Sequence, residues 1–408
     1  MPKRKLPNWS LASLIVVLVL CSIPSRAATY RVLYGFSGGS EGGGLYSGVV
    51  IDGQGSLYGG TIGGGGGGGT IYEVRHNSDG TWTKSIIRNL DFQNDGGEPN
   101  GGMVFDAEGN LYSTTSNGGP QGFGTVFQLV PNPSGEWVLN LALDTGSHTG
   151  LAIDPAGNLF GLGAGAFELS PDPDGWTYQQ IYGFQKEHDP GTFYSPMILD
   201  DAGNLYGASV GGGNGPPKCP GSGSCGTVFK LHPNPDGTWT EHLLHKFAAW
   251  DDDGRYATGG VTRDAAGNLY GTTLEGGSHR NGGRCRVGCG TIYKLARQPD
   301  GRWREDILYN FPKDHDGLFP SAAPTLDAAG NLYGTTEEGG DPVCTCGVIY
   351  KLTHNPDDTC TYTVLHRFHG TDGRDPAAPM VMDKKGNLYG TTISGGPGGK
   401  GVVFKVTP

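Results

Sequence analysis

Residues 264–273 read Asp-Ala-Ala-Gly-Asn-Leu-Tyr-Gly-Thr-Thr, and the phrase returns in variant form from Asp52, Asp106, Asp154, Asp200, Asp327 and Asp383. A period of about 50 residues marks a repeat architecture in which every unit is one supersecondary element. One unit is clearest from Gly259 to Phe311. Gly259–Arg263 reads as a short strand, and Asp264 to Gly267 as a turn in which the Asp caps backbone amides and Gly takes positive φ. Asn268–Thr273 and Gly290–Leu295 read as second and third strands around a glycine-rich loop. A Pro299-Asp300-Gly301 turn then leads into Trp303–Phe311, the fourth. Four antiparallel strands per unit, repeated seven times, describe an all-β seven-bladed propeller.

The chain ends sharpen that reading. The last unit stops at Phe404-Lys405-Val406, after its third strand, and the missing fourth is found at Tyr30–Phe36, which matches the pattern of Asp306–Phe311. An N-terminal strand completing the C-terminal blade closes a ring and hides its edges. A linear solenoid would not need this offset.

The chain has 75 glycines and 27 prolines, but also 18 tyrosines, 15 phenylalanines and 7 tryptophans, so it is no disordered low-complexity chain. The N-terminus joins Lys3-Arg4-Lys5, an apolar run from Leu11 to Ile23 and Ser25-Arg26-Ala27. This reads as a signal peptide over 1–27, with one domain over 28–408. A lipoprotein signal through Cys21 fits less well, because Leu20 stands where a small residue is needed. Loss of four cations takes the formal charge from −11 to −15. Nucleic acid is therefore not the expected partner, and no membrane contact is expected after signal cleavage.

Strand order puts the fourth-to-first and second-to-third connections on one face, the top, and the DxxG and PDG turns on the bottom. The bottom is uniform, whereas the top loops vary and are longest in the fourth and fifth units, so a functional site is expected there. The repeated Asp and Asn of DxxGN supply too few oxygens for calcium and read as capped turns. Acids recur on the top at Asp95, Asp253, Asp316 and Asp372, with Asp189 in a looser copy. They would bind a ligand at the channel mouth or start the next blade as Asp-Gly turns, and the turn reading is preferred. His188 and His315 are the least repetitive members, so His188, His315, Asp253 and Asp316 are the candidate catalytic residues. No Ser or Cys partner completes a triad. Arg263 interrupts a column held by Ile51, Phe105, Ile153, Leu199, Leu326 and Met382. It would line the channel and bind an anion or, the preferred reading, pair with an acid.

Seven cysteines follow the signal, and six form local pairs: Cys219 with Cys225, Cys285 with Cys289, and Cys344 with Cys346. Disulfides are expected in an exported chain, with partner exchange open for Cys344 and Cys346 because so small a ring is tight. Zinc on these thiolates is the lesser reading, and neither metal nor cofactor is expected. Cys360 takes the column of Trp82, Trp137, Trp176, Trp239 and Trp303 at the bottom, roughly a strand's length of 15 Å from Cys346, and reads as a buried free thiol.

In the phrases DAAGNLYGTT, GTVFKL and WTEHLLHKF the chain resembles the GloVer tandem-repeat, or "choice-of-anchor", proteins of bacterial secretomes over essentially the whole mature sequence. The resemblance implies export and a repeat fold but no activity. The sequence stops at Thr407-Pro408 without the family's sorting tail, so extracellular release or periplasmic residence is expected over surface anchoring. A looser resemblance, limited to DxxGNLY, is to NHL-type and streptogramin-lyase-like propellers. The leading functional expectation is a non-catalytic scaffold that presents top loops to a glycan or protein. The alternative is a polysaccharide or small-molecule lyase or hydrolase with its site at the propeller mouth.

Overall fold

The computed structural model describes residues 27–144, 149–184, 191–212, 224–248, 253–279, 285–312 and 316–408. Seven four-stranded antiparallel sheets form the blades of a ring. In blade 5 the strands are Val261–Arg263, Leu269–Thr273, Thr291–Arg297 and Trp303–Asn310, hydrogen-bonded in that order from axis to rim. Blade 7 consists of Val381–Met382, Leu388–Thr391, Val402–Thr407 and, as its outer strand, Thr29–Gly35. Tyr30 pairs with Val406 and Gly35 with Val402, so the N-terminal strand closes the ring as the chain ends implied. No helix among the described residues is long and apolar enough to cross a membrane.

Each blade buries its middle strands and alternates on its outer one, because neighbouring blades cover both faces of the middle and only part of the rim. Leu332–Thr336 is buried at every position, whereas Trp82–Asn89 alternates between half-buried and exposed. Aromatic residues of the third strands, Tyr72, Phe127, Phe229, Tyr293, Tyr350 and Phe404, are fully buried. Gly271 in the LYG phrase exists for such a ring, since a Cβ there would overlap Tyr293.

The DxxGN phrase is a capped turn. Asp264 Oδ1 accepts the amide of Asn268 at 2.8 Å, while Oδ2 accepts Asn268 Nδ2 at 2.8 Å and Tyr270 Oη at 3.0 Å. The same bonds recur at Asp327 and Asp383, leaving these carboxylates committed to their own turns.

One feature of the outer strand positions the candidate site. Ile292 pairs with Tyr309 but Tyr293 with Ile307, leaving Leu308 as a bulge, and in blade 4 Val228 pairs with His245 but Phe229 with Leu243. A bulge flips the face of every residue beyond it. The residue two places after the Trp column therefore faces the preceding blade, and the residue six places after it faces the following one. In the seam between blades 6 and 7, Tyr30 stacks on His366 at 3.7 Å and donates to the Asp372 carbonyl at 2.6 Å. Between blades 5 and 6, Tyr362 stacks on Tyr309 at 4.2 Å and donates to the Asp316 carbonyl at 2.6 Å.

Candidate active site

In the seam between blades 4 and 5 that aromatic contact is replaced by an acid–base set. Glu305 of blade 5 stands where Tyr30 and Tyr362 stand elsewhere, and His245 of blade 4 stands in the place of His366. Glu305 Oε2 lies 3.5 Å and Asp253 Oδ1 3.7 Å from His245 Nε2. The three groups lie within 4.8 Å of one another, the one set among the described residues spaced to hold a metal ion. Phe247 and the fully buried Tyr293 form their apolar flank: His245 meets Phe247 edge-on at 4.7 Å, and Phe247 meets Tyr293 at 5.2 Å. The side chains of His245, Asp253 and Glu305 keep 19%, 14% and 14% exposure, enough for contact with solvent from the top.

Asp253 is fixed by its loop. Its Oδ2 accepts the Ala248 amide at 2.7 Å and its Oδ1 the Gly254 amide at 2.6 Å. Directly after it, Gly254–Arg255 pairs with Glu275–Gly276 of the long top loop of blade 5. Arg255 sits 3.6 Å from Glu275 across that pair. Among the described residues His245 Nε2 and Glu305 Oε1 have no hydrogen-bond partner, and Glu305 Oε2 and Asp253 Oδ1 approach the imidazole nitrogen at charge-contact rather than bonding distance.

Burial raises the Glu305 carboxyl from its ordinary 4.5 to about 8; the His245 cation opposes this and Asp253 adds to it. Burial also works against the His245 cation, but Asp253 and Glu305 outweigh it and hold the imidazole proton above its usual range. Two carboxyls this close do not both ionise cheaply. Near neutrality the set therefore keeps a proton on Glu305, beside an imidazole whose own proton affinity is raised and an amide-held Asp253. A protonated carboxyl beside a charged one can act as acid and base. With the protons displaced, one imidazole nitrogen and two carboxylate oxygens are donors for a divalent cation.

The other predicted residues do not join this set. His188, Asp189 and His315 lie outside the described residues. Asp95 is taken up by Arg88 of its own blade, with Nη2 at 2.6 Å. Asp316 pairs with Arg367 of the next blade. Asp372 accepts from His366 at 2.9 Å and from the His369 amide at 2.8 Å. The acids thus clamp the seams near the rim instead of ringing the mouth. The channel itself holds a cavity of about 490 Å³ lined by residues such as Tyr46, Met103, Tyr194, Thr325 and Met380, with no acid, base or histidine among the described residues of its lining. For Asp95, Asp316 and Asp372 this differs from the expected place at the mouth: the described first-strand residues at the axis are small and apolar, and these three acids are drawn to cationic and ring partners on the outer strands.

Arg263 is also corrected. It does not line the axial cavity, and it makes no ion pair with an acid among the described residues; it projects into a groove on the bottom. The disulfides Cys285–Cys289 and Cys344–Cys346 form locally, so the exchange between loops left open by the sequence is not adopted. Cys225 is disulfide-bonded, while Cys219 lies outside the described residues. Cys360 is free but only half-buried, at the rim of the bottom face, where no blade covers it fully.

Sequence reasoning named Asp253 but missed His245 and Glu305. Glu305 breaks its column only weakly, since Glu241 holds the same place in blade 4. What distinguishes it is the His245 opposite, brought there by the bulge.

Similar folds occur in an ancestral GH74 enzyme (14% identity, TM-score 0.56, covering 90% of this chain and 48% of that one). Others are a gluconolactonase of Xanthomonas campestris (16%, TM-score 0.43, covering 74% and 82%) and a putative oxidoreductase (glucose dehydrogenase) of Thermus thermophilus (15%, TM-score 0.42, covering 93% and 100%). This chain spans about half the length of the GH74 enzyme. At 14% identity the likeness to the GH74 enzyme shows the fold alone. No curated protein matches the chain. The non-catalytic scaffold expected from the sequence is overturned: it rested on the lack of an asymmetric acid–base set, and one seam holds such a set. Residues 280–408 match the Gloeobacter/Verrucomicrobia repeat, so the chain carries the repeat of the family it resembled in sequence.

Proposed function

We propose that this protein is an exported enzyme, a hydrolase or lyase acting on a polysaccharide or small secreted compound, with its acid–base groups on the top of the propeller between blades 4 and 5. The observation that carries this reading is the buried set of His245, Asp253 and Glu305. Glu305 is the proton donor, kept protonated near neutrality by burial. Asp253, held by two amides, is the charged partner, and His245 between them returns the proton. The similar fold of the ancestral GH74 enzyme favours a sugar-derived substrate. The basic and apolar N-terminal segment and the disulfides on the top loops support export.

The test is a panel of polysaccharides, glycosides and lactones assayed for reducing ends, unsaturated products and acid release. Glu305→Gln and Asp253→Asn should lower kcat by about 10²–10⁴-fold, the usual weight of general acid–base catalysis, with a smaller effect on KM. The reading is wrong if no member of the panel turns over, or if a substrate does and both variants process it at the native rate.

A further inference from the structure

At the opposite end of the same seam lies a groove of about 780 Å³, bounded by the DxxG turns of blades 4 and 5 and the third-to-fourth turn of blade 5. Lys230, Arg263, Arg297 and Arg302 line it with His242, and Asp200 is the one acid in its wall. Much of that acid is already used, since Asp200 accepts from Asn204 at 2.9 Å and from Tyr206 at 3.0 Å. Arg302 is engaged by Asp300 at 2.6 Å. Neither Arg263 nor Arg297 has an ion-pair partner among the described residues, and Arg263 Nε is buried without a hydrogen bond. Lys230 extends over the Tyr206 ring at 5.9 Å. Its ammonium is held below the usual range by burial, which Asp200 opposes and to which Arg297 and Arg263 add.

The fold does not require this charge. The equivalent groove between blades 2 and 3 is lined by Asp106, Glu108, Asp154 and Asp172, with no Lys, Arg or His. Between blades 7 and 1 the lining is mixed, with Asp52 and Asp383 against Lys384, Lys385 and Lys405. In a chain of net charge −11, one seam out of the three has gathered unpaired cations, and Arg263 occupies a position that is Ile, Phe, Leu or Met in every other repeat. A half-buried guanidinium whose buried Nε lacks an acceptor is costly unless something supplies one.

We propose that this bottom groove binds an oxyanion, the carboxylate, sulfate or phosphate of a small ligand or of an acidic sugar residue, with Arg263 as the principal donor and Arg297 and Lys230 completing the charge. Arginine's planar fork suits such groups, and the Tyr206 and Trp303 rings give a sugar an apolar wall. The site stands apart from the acid–base set on the top, so its failure leaves that reading untouched.

The test is titration calorimetry on the intact protein at low ionic strength, with inorganic sulfate, inorganic phosphate and a glucuronate-containing oligosaccharide as probes. Arg263→Leu restores the apolar residue of the other repeats and should fold normally. One site per chain is expected, weakened at least tenfold in Arg263→Leu and by a smaller factor in Arg297→Gln. Tighter binding of the oligosaccharide than of the inorganic ions identifies an acidic glycan as the source, and equal binding a free anion. The absence of saturable binding by all three probes, or unchanged binding in Arg263→Leu, overturns the proposal.

Discussion

Replacing Glu305 with glutamine should make the protein's stability less sensitive to alkaline pH. The sign follows from the raised proton affinity. Below 4.5, the ordinary value, the carboxyl is protonated whether the chain is folded or not, and it contributes no pH dependence. Between 4.5 and about 8 the unfolded carboxyl ionises while the folded one does not. Unfolding then releases a proton, and the folded state loses ground as the pH rises; above about 8 the loss is constant. From pH 5 to pH 8 the native protein should lose on the order of 3 kcal/mol that the variant retains. His245 acts in the same direction, since its raised proton affinity stabilises the fold at low pH and that contribution fades as the pH passes the folded value. A change of 1 kcal/mol moves Tm by about 2–4 °C in domains of 150–250 residues and by less in longer chains, so the two melting curves should diverge by roughly 5 °C. Differential scanning calorimetry of both proteins at half-unit steps from pH 5 to 8.5 measures this. Parallel Tm profiles would mean that Glu305 is an ordinary solvated carboxylate, and the acid–base reading of the seam would lose its basis.

Asp264→Ala removes an acceptor of two amide donors and a tyrosine hydroxyl and should cost about 2 kcal/mol by urea denaturation. Burial disfavours the Asp264 anion, but the bonds from Asn268 and Tyr270 outweigh it and hold its proton affinity down. The native advantage over Asp264→Ala should therefore be present at neutral pH and vanish as the pH falls through the folded carboxyl's range. Deleting Thr29–Gly35 strips blade 7 of its outer strand and should yield aggregates on size exclusion, whereas a permutant carrying that strand after Pro408 should stay monodisperse; a well-behaved deletion would refute closure by this strand. Cys360 is free and Cys225, Cys285, Cys289, Cys344 and Cys346 are bonded; with Cys219 as the partner of Cys225, as the sequence leads one to expect, thiol titration of the unfolded, unreduced protein should give one thiol per chain, and two if Cys21 is retained.

The propeller was legible in the sequence because its causes are local and repeated. DxxGN specifies a capped turn wherever it occurs, LYG leaves room for an aromatic ring, and the displaced strand at Tyr30–Phe36 announces how the ring closes. The local disulfides and the free Cys360 were readable for the same reason, each depending on residues a few positions apart or on one column. Asp253 was legible only as one of several similar acids.

The tertiary structure decided what those acids do. Asp95 and Asp253 look alike as Asp-Gly turns, but one finds Arg88 of its own outer strand and the other a histidine and a glutamate from two blades. His245 and Glu305 lie 60 positions apart in sequence and meet because the bulge in each outer strand turns the later residue toward the next blade. A bulge leaves no mark in residue type, and the face it selects inverts with a single position of register. The burial that raises the proton affinity of Glu305, and the open groove that leaves Arg263 without an acid, arise only when neighbouring blades pack together. Repetition within the chain thus determined the architecture, while contact between non-identical neighbours determined where charge is stored and where a ligand has reason to bind.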